Sequence, residues 1–203
     1  MPKNENVLNY DDRVWVEFNT PFNKKALLNF CQKLEQLYRI NPYLEFEKWA
    51  HTSKYSYYMV AINHSQVPSF KIDTKFKLEN LTNGIEVHYS NGIKSSTRFI
   101  IDDAAQGSKL IITEIYRLLP TQESLTYLHE VDKSLTKWAE EIQQYIILWD
   151  RWSWFTPWKL YKSYIWLPMK PSGRRITYML LWISIIEVLL VSLGVMIYFI
   201  EYR

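Results

Sequence analysis

The sequence predicts an α+β domain, an antiparallel sheet covered by a long C-terminal helix, followed by one membrane-crossing helix. Three observations carry that expectation. Segments between residues 55 and 116 alternate apolar and polar side chains and are punctuated by Asn83-Gly84 and Asn91-Gly92; a helical period returns after Pro120; and the 25 residues from Ile176 to Ile200 contain one charge, Glu187. Period two belongs to half-buried strands, period 3.6 to amphipathic helices, and an apolar run of about 20 residues to a helix that spans a bilayer.

Residues 1–12 are polar and expected to be a flexible N-terminus. Val14, Val16 and Phe18 alternate with Trp15 and Glu17, which predicts a first strand. Thr20 followed by Pro21 reads as a helix cap with proline in the first turn. Ala26, Leu27, Phe30, Leu34 and Leu37 then supply the apolar face of one helix or a broken pair, stopped by Asn41-Pro42. Leu44 to Trp49 carries no decisive pattern. YSYYMVAI at 55–62 is a strand, and Phe70, Ile72, Thr74, Phe76 and Leu78 alternate with Lys71, Asp73, Lys75 and Lys77 as a strand with one solvated face. Ile85, Val87 and Tyr89 form the next strand, with Glu86 and His88 expected at its solvent face. Two more strands, near Thr97–Ile101 and Leu110–Tyr116, are joined by a turn around Gly107. Beyond Pro120, Leu125, Leu128, Leu135, Trp138, Ile142, Tyr145, Ile146 and Trp149 share one side of a helix of more than twenty residues.

After the domain come Trp149, Trp152, Trp154, Trp158 and Trp166, with Lys159 and Lys162 among them and Arg174 and Arg175 just before the apolar run. Indole rings favour the headgroup level and lysine stems extend from apolar surface towards phosphate. Trp152, Trp154, Trp158, Lys159, Lys162, Trp166, Arg174 and Arg175 therefore read as an interfacial collar, the alternative being tryptophans packed on the domain itself. Pro157, Pro168 and Pro171 argue against one continuous helix through this segment. The expected divisions are 13–150 for the domain, 151–175 for the basic, Trp-rich segment and 176–200 for the span. Cations precede the span and only Arg203 follows it, which places the N-terminal domain in the cytoplasm by the positive-inside rule.

Within the span, Ser184, Glu187, Val191, Gly194 and Tyr198 recur at steps of three and four and so share one face. A carboxylate facing lipid is costly, and small residues let another helix approach closely. That stripe is read as a docking face for an integral membrane partner, the alternative being a protonated Glu187 in a plain anchor.

The strand VWVEF with TPFNKKALLNFCQKL after it, the INPYLEFEKW segment, the STRFIIDDAAQGSKLIITEIY hairpin and the terminal amphipathic helix together resemble the START-like, or SRPBCC, superfamily. It includes polyketide cyclases, lipid-transfer domains and coenzyme Q-binding proteins. The resemblance spans roughly residues 12–150, in element order rather than in a diagnostic motif. It implies a helix-grip fold, a curved sheet wrapped around the long helix, with an apolar cavity suited to a lipid, a quinone or another polycyclic molecule. Tyr57, Phe70, Phe76, Tyr89, Phe99 and Tyr116 are the candidate lining residues; a solid aromatic core is the alternative. The apolar tail lies outside the common pattern.

Composition narrows the functional classes. Residues 1–148 hold 17 Lys/Arg against 18 Asp/Glu, while residues 149–203 hold 7 against 3, so the body is neutral and the tail basic. A neutral body speaks against nucleic acid as partner and a basic tail fits membrane lipids. Cys31, flanked by Phe30 and Leu34, reads as a buried structural thiol. Two glycosylation sequons, at Asn63 and Asn80, carry little weight without a secretory signal. His51, His64, His88 and His129 lack metal-ligand spacing; His129 with Glu130 and Asp132 reads as a surface cluster, and Asp102-Asp103 as turn chemistry. No catalytic, metal or cofactor set is expected beyond a bound lipid or quinone. The function expected is an accessory subunit of a membrane protein complex, docked through the span; the alternative is a free membrane-tethered binding or transfer protein for an apolar molecule.

Overall fold

The computed structural model describes residues 13–117 and 134–202. Its elements are β1 (Arg13–Thr20), α1 (Lys24–Cys31), α2 (Leu34–Arg39), β2 (Leu44–Ser53), β3 (Ser56–Asn63), β4 (Phe70–Leu81), β5 (Gly84–Tyr89), β6 (Lys94–Asp103), β7 (Ser108–Tyr116), α3 (Leu135–Trp152), α4 (Thr156–Leu160), a π-helical turn (Tyr161–Trp166) and α5 (Pro171–Glu201). The seven strands form one sheet in the order β1-β7-β6-β5-β4-β3-β2, with every neighbouring pair antiparallel. The chain thus walks across the sheet by hairpins from β2 to β7, and β1 closes the far side. The α+β architecture expected from the sequence is the observed one.

One face of the sheet holds the core. Met59 and Ala61 from β3, Phe76 and Leu78 from β4, Ile85 and Val87 from β5, Phe99 and Ile101 from β6 and Leu110 and Ile112 from β7 pack against Leu27 and Leu37 of α1 and α2 and Trp138, Ile142 and Ile146 of α3. The spacing Leu135, Trp138, Ala139, Ile142, Tyr145, Ile146 is the 3–4 alternation that lays one helical face on the sheet. The part of the predicted helix at Leu125 and Leu128 lies outside the described residues, as does the expected flexible stretch 1–12.

Two expectations require correction. Thr20 does not cap the first helix: it ends β1, where its hydroxyl donates to the Ser108 carbonyl at 3.1 Å, and Asn23 is the cap, its side chain accepting from the Ala26 N–H at 2.9 Å. Strand pairing claimed the threonine, so the cap moved three residues on. Of the two readings of the following segment, one helix or a broken pair, the structure has the pair, α1 and α2, broken at Gln32 and Lys33. Glu86 is not at the solvent face; it is buried, accepting from Ser96 Oγ at 2.7 Å and from Arg98 Nε at 3.0 Å across the β5–β6 register. His88 is exposed, 3.1 Å from Glu79.

The undecided stretch from Leu44 is β2, with Leu44 and Phe46 turned to the core cluster. Gly84 is required for a reason the turn signal did not supply, since a Cβ there would collide with the Phe99 carbonyl. Gly92 takes φ +88° in the β5–β6 turn, a left-handed conformation glycine adopts without strain.

Beyond α3 the prolines divide the chain as expected. Pro157 starts α4 and Pro171 starts α5, which runs for 31 residues and is long and apolar enough to cross a membrane. Its most apolar stretch packs against none of the described domain.

Candidate ligand cavity

Trp138 and Tyr38 close the centre of the grip. Trp138 is 1% exposed, meets Phe99 edge-on at 5.8 Å and Tyr38 at 5.1 Å, and donates its indole N–H to the Leu37 carbonyl at 2.9 Å. Phe76 stacks on Tyr38 and on Tyr57, with centroids 5.8 and 5.4 Å apart, and Trp49 joins them. This half of the interior is solid.

The other end is not. A cavity of about 270 Å³ lies beside Tyr38 and Trp138, walled by Leu44, Met59, Phe70 and Ile72 and rimmed by Asn91, Ile93, Lys94 and Tyr116. Its cause is a length mismatch. β4 pairs with β5 only from Phe76↔Tyr89 onward, so Phe70–Thr74 runs past the end of its neighbour. Asn91, in the turn beyond, bridges that seam: its Nδ2 donates to the Asp73 carbonyl at 2.6 Å, and its Oδ1 accepts from Thr74 Oγ1 at 2.9 Å.

Of the six residues the sequence nominated, Phe70, Tyr89 and Tyr116 line this cavity, while Phe76 and Phe99 are fully buried packing residues. Tyr57 faces a separate open groove that includes Trp49, His51 and Leu167. Tyr38 and Trp138 were not nominated, because helix residues that point at a sheet cannot be told from core by period alone, and Asn41 stands in the connection between α2 and β2, which carries no period.

The polar groups of the cavity are matched internally. Tyr38 and Tyr89 share a hydroxyl–hydroxyl hydrogen bond, and Tyr89 is also 3.0 Å from Thr97 Oγ1. Burial, reinforced by the proximity of Tyr89, holds the Tyr38 phenol well above its ordinary range, and burial raises Tyr89 as well. Both are neutral hydroxyls at working pH. Glu114 is 0% exposed, with Lys94 Nζ at 2.6 Å and the Tyr116 hydroxyl donating to it at 2.7 Å.

The cavity sits at the end of the sheet nearest the start of α5. Asn41 and Leu44 line it, and the residues between and beside them tether the base of that helix: the Pro42 carbonyl accepts from Arg175 at 3.4 Å, and Glu45 accepts from Lys170 at 2.7 Å. His64, at the foot of the β3–β4 loop, is 3.5 Å from the same Glu45 carboxylate.

The Trp-rich segment divides in two. Trp152 and Trp154 are exposed and stacked at 6.5 Å, Lys159 and Arg175 are exposed, and Trp158 is half-buried against Trp149. Lys162, Trp166 and Arg174 are instead buried, which corrects their place in the collar. Lys162 and Arg174 lie over the Trp166 ring, 3.8 and 4.3 Å from its centroid, while Trp166 packs on Tyr145 of α3 and donates to the Tyr178 hydroxyl at 3.1 Å. Cation–π contact with the domain has claimed the groups that a headgroup layer would otherwise take. Ser184, Glu187, Val191, Gly194 and Tyr198, the stripe read from the sequence as a docking face, are exposed along α5.

Burial, with the Arg174 charge second, lowers the Lys162 ammonium to about 8 from 10.5. An unfolded chain therefore holds more protons between about pH 8 and 10.5, and native stability rises with pH across that window. Lys162→Met is expected to remove this rise. Thermal melts of both proteins from pH 8 to 10.5 check it; equal slopes would contradict the burial of the charged lysine.

Other candidates are placed plainly. Cys31 is buried and its thiol is pushed up to about 12 by that burial, so it is inert. His51 lies 4.7 Å from the Tyr57 ring, and Asp103 pairs with Lys24 at 2.8 Å. His129, Glu130 and Asp132 lie outside the described residues. Among the described residues, no three of His, Cys, Asp and Glu gather as metal ligands would. Asn63 is fully enclosed, so its sequon offers no acceptor to a glycan in the folded chain.

No family model and no curated protein matches the sequence. Solved structures do. A protein from Thermus thermophilus is 14% identical with a TM-score of 0.47, covering 64% of this chain and 95% of its own. A STAR-related lipid transfer protein from Xanthomonas axonopodis is 10% identical at 0.43, covering 66% and 85%. The lipid transfer and protein localization domain of human StarD13 is 13% identical at 0.39, covering 64% and 76%. These are likenesses of chain course. The strand order, the helix laid across the sheet and the gap left at one end give this chain an α+β helix-grip fold with an added C-terminal apolar helix.

Proposed function

We propose that the chain is a membrane-tethered binding protein whose grip domain holds a small, mostly apolar molecule in the cavity beside Tyr38 and Trp138. The observation that carries this reading is the cavity itself, enclosed by Leu44, Met59, Phe70 and Ile72, at the end of the sheet tied to the base of α5. Apolar walls with a few fixed polar groups are the ordinary form of a small-molecule site. A lipid or quinone fragment fits that chemistry.

In this reading α5 crosses the bilayer once, with the domain on the cytoplasmic side that the flanking cations favour. Trp152, Trp154, Lys159 and Arg175 meet the headgroups, and Trp158 stands behind them. The cavity then faces the leaflet from which an apolar ligand is drawn.

A second reading, an accessory subunit of a membrane complex, is favoured by one observation: Glu187 stands mid-way along α5 on a face shared with Ser184 and Gly194, open to another helix.

The test of the first reading fills the cavity. Ile72→Trp in the full-length protein is expected to abolish a small molecule that organic extraction recovers from the wild type in about equimolar amount, with the melting temperature retained. Equal recovery from both proteins would contradict it.

A further inference from the structure

The segment between α3 and α5 leaves large apolar side chains in the open. Trp154, Phe155, Leu160, Tyr164 and Ile165 are all exposed, Tyr164 by 75% and Ile165 by 53%. They lie on the side turned away from the domain. Trp154 packs on Phe155 at 5.8 Å, Leu160 and Tyr164 stand four residues apart, and Tyr164 and Ile165 fall between the buried Lys162 and Trp166. Exposed apolar groups gathered in this way mark a surface that meets something.

The partner follows from level and from charge. Trp166, in the same π-helical turn as Tyr164 and Ile165, donates to the Tyr178 hydroxyl at 3.1 Å, and Lys162 Nζ is 3.5 Å from that hydroxyl. Thr177 Oγ1 lies 3.5 Å from Met169 Sδ. Thr177 and Tyr178 directly follow Ile176, where the apolar run begins. The turn is therefore laid against the first turns of that run, and its outer residues stand at the level where the run starts.

Residues 151–170 include four Lys/Arg and no Asp/Glu. Lys162 is buried and Lys170 pairs with Glu45, while Arg151 and Lys159 are exposed with no carboxylate in salt-bridge range among the described residues. An apolar face flanked by such cations has the chemistry of an interfacial membrane helix. A second copy of the same surface would set these cations against each other.

We propose that Phe155, Leu160, Tyr164 and Ile165 form an in-plane membrane contact, seated in the headgroup–acyl boundary of the leaflet nearest the domain, with Arg151 and Lys159 reaching lipid phosphates. This rests on the reading that α5 crosses the bilayer. A domain hung from one helix can swing about it. A second contact beside the helix fixes its tilt, and with it the direction in which the cavity end faces.

The experiment places nitroxide spin labels on the full-length protein in nanodiscs of phosphatidylcholine and phosphatidylglycerol. Cys31 is buried and its thiol is pushed up to about 12, so only introduced thiols take the label. Leu190→Cys, in the apolar run, reports lipid, and Lys77→Cys, exposed on β4, reports water. At Tyr164→Cys, collisions with a water-soluble nickel chelate are expected to fall to about half or less of those at Lys77→Cys, while collisions with oxygen, which concentrates in lipid, rise above them. Ile165→Cys repeats the reading at the neighbouring residue. If both labels are as open to the chelate as Lys77→Cys while Leu190→Cys lies in lipid, the in-plane contact is overturned and the crossing helix stands. Low collisions with both reagents would place protein over this surface and overturn the bilayer as its partner. A chelate-accessible Leu190→Cys would overturn the crossing helix, and the contact with it.

Discussion

Trp138→Ala is expected to cost about 3–5 kcal/mol of domain stability, the usual range for removing a fully buried tryptophan. Trp138 is the point where α3 meets the sheet: its ring touches Phe99 of β6 and Tyr38 beside the cavity, and its N–H satisfies the Leu37 carbonyl of α2. Truncation removes the contacts of three elements at once and leaves a buried carbonyl unpaired. Since whole domains are stable by only about 5–15 kcal/mol, the variant should melt tens of degrees lower or fail to accumulate folded. Trp138→Phe keeps most of the packing and loses the hydrogen bond, so it should fall between. Thermal melts of the three proteins in the same detergent check the order; a Trp138→Ala protein as stable as wild type would mean that α3 does not hold the sheet through this residue.

Lys94→Met is the second large effect. Glu114 is fully buried in β7 and its carboxylate is matched by Lys94 at 2.6 Å and by the Tyr116 hydroxyl. Removing the lysine breaks a 2.6 Å ion pair with a buried carboxylate, and losing one partner of such a pair typically costs about 3–5 kcal/mol. Lys94→Met combined with Glu114→Gln should recover most of that loss, because a neutral amide in place of the carboxylate no longer needs a cation. The signature is the non-additivity, read from denaturation midpoints of the two single variants and the double. Additive losses would show that the two groups act independently.

The sheet was legible in the sequence where local alternation and tertiary burial agree. In β4, Lys71, Asp73, Lys75 and Lys77 face water and Ile72, Thr74, Phe76 and Leu78 face the core, as their period requires. Glu86 shows the limit: its parity is that of a solvent face, but Ser96 and Arg98 on the neighbouring strand cover it, and cross-strand pairing is invisible to a local reading. Thr20-Pro21 failed as a cap for a related reason, since β1 pairs with β7, distant in sequence. The aromatic candidates were half legible. Period two tells which face Phe70, Phe76 and Phe99 occupy, but the gap exists because β5 is shorter than β4 and Asn91 spans the difference.

The buried place of Lys162, Trp166 and Arg174 also follows from a non-local event. The π-helical turn folds back on α3, so a segment that reads as uniformly interfacial has an inner face built on Tyr145 and an outer face carrying Trp152 and Trp154. The inner face joins the domain to the first turns of α5 through the Trp166–Tyr178 and Arg174–Trp166 hydrogen bonds.

The most direct measurement is native mass spectrometry of the full-length protein released gently from its own membrane. The account predicts a single chain carrying one small adduct that is lost from the Ile72→Trp variant. A bare chain, or a chain held in stoichiometric complex with other proteins and carrying no adduct, would contradict it, and in the latter case Glu187 becomes the first contact to test.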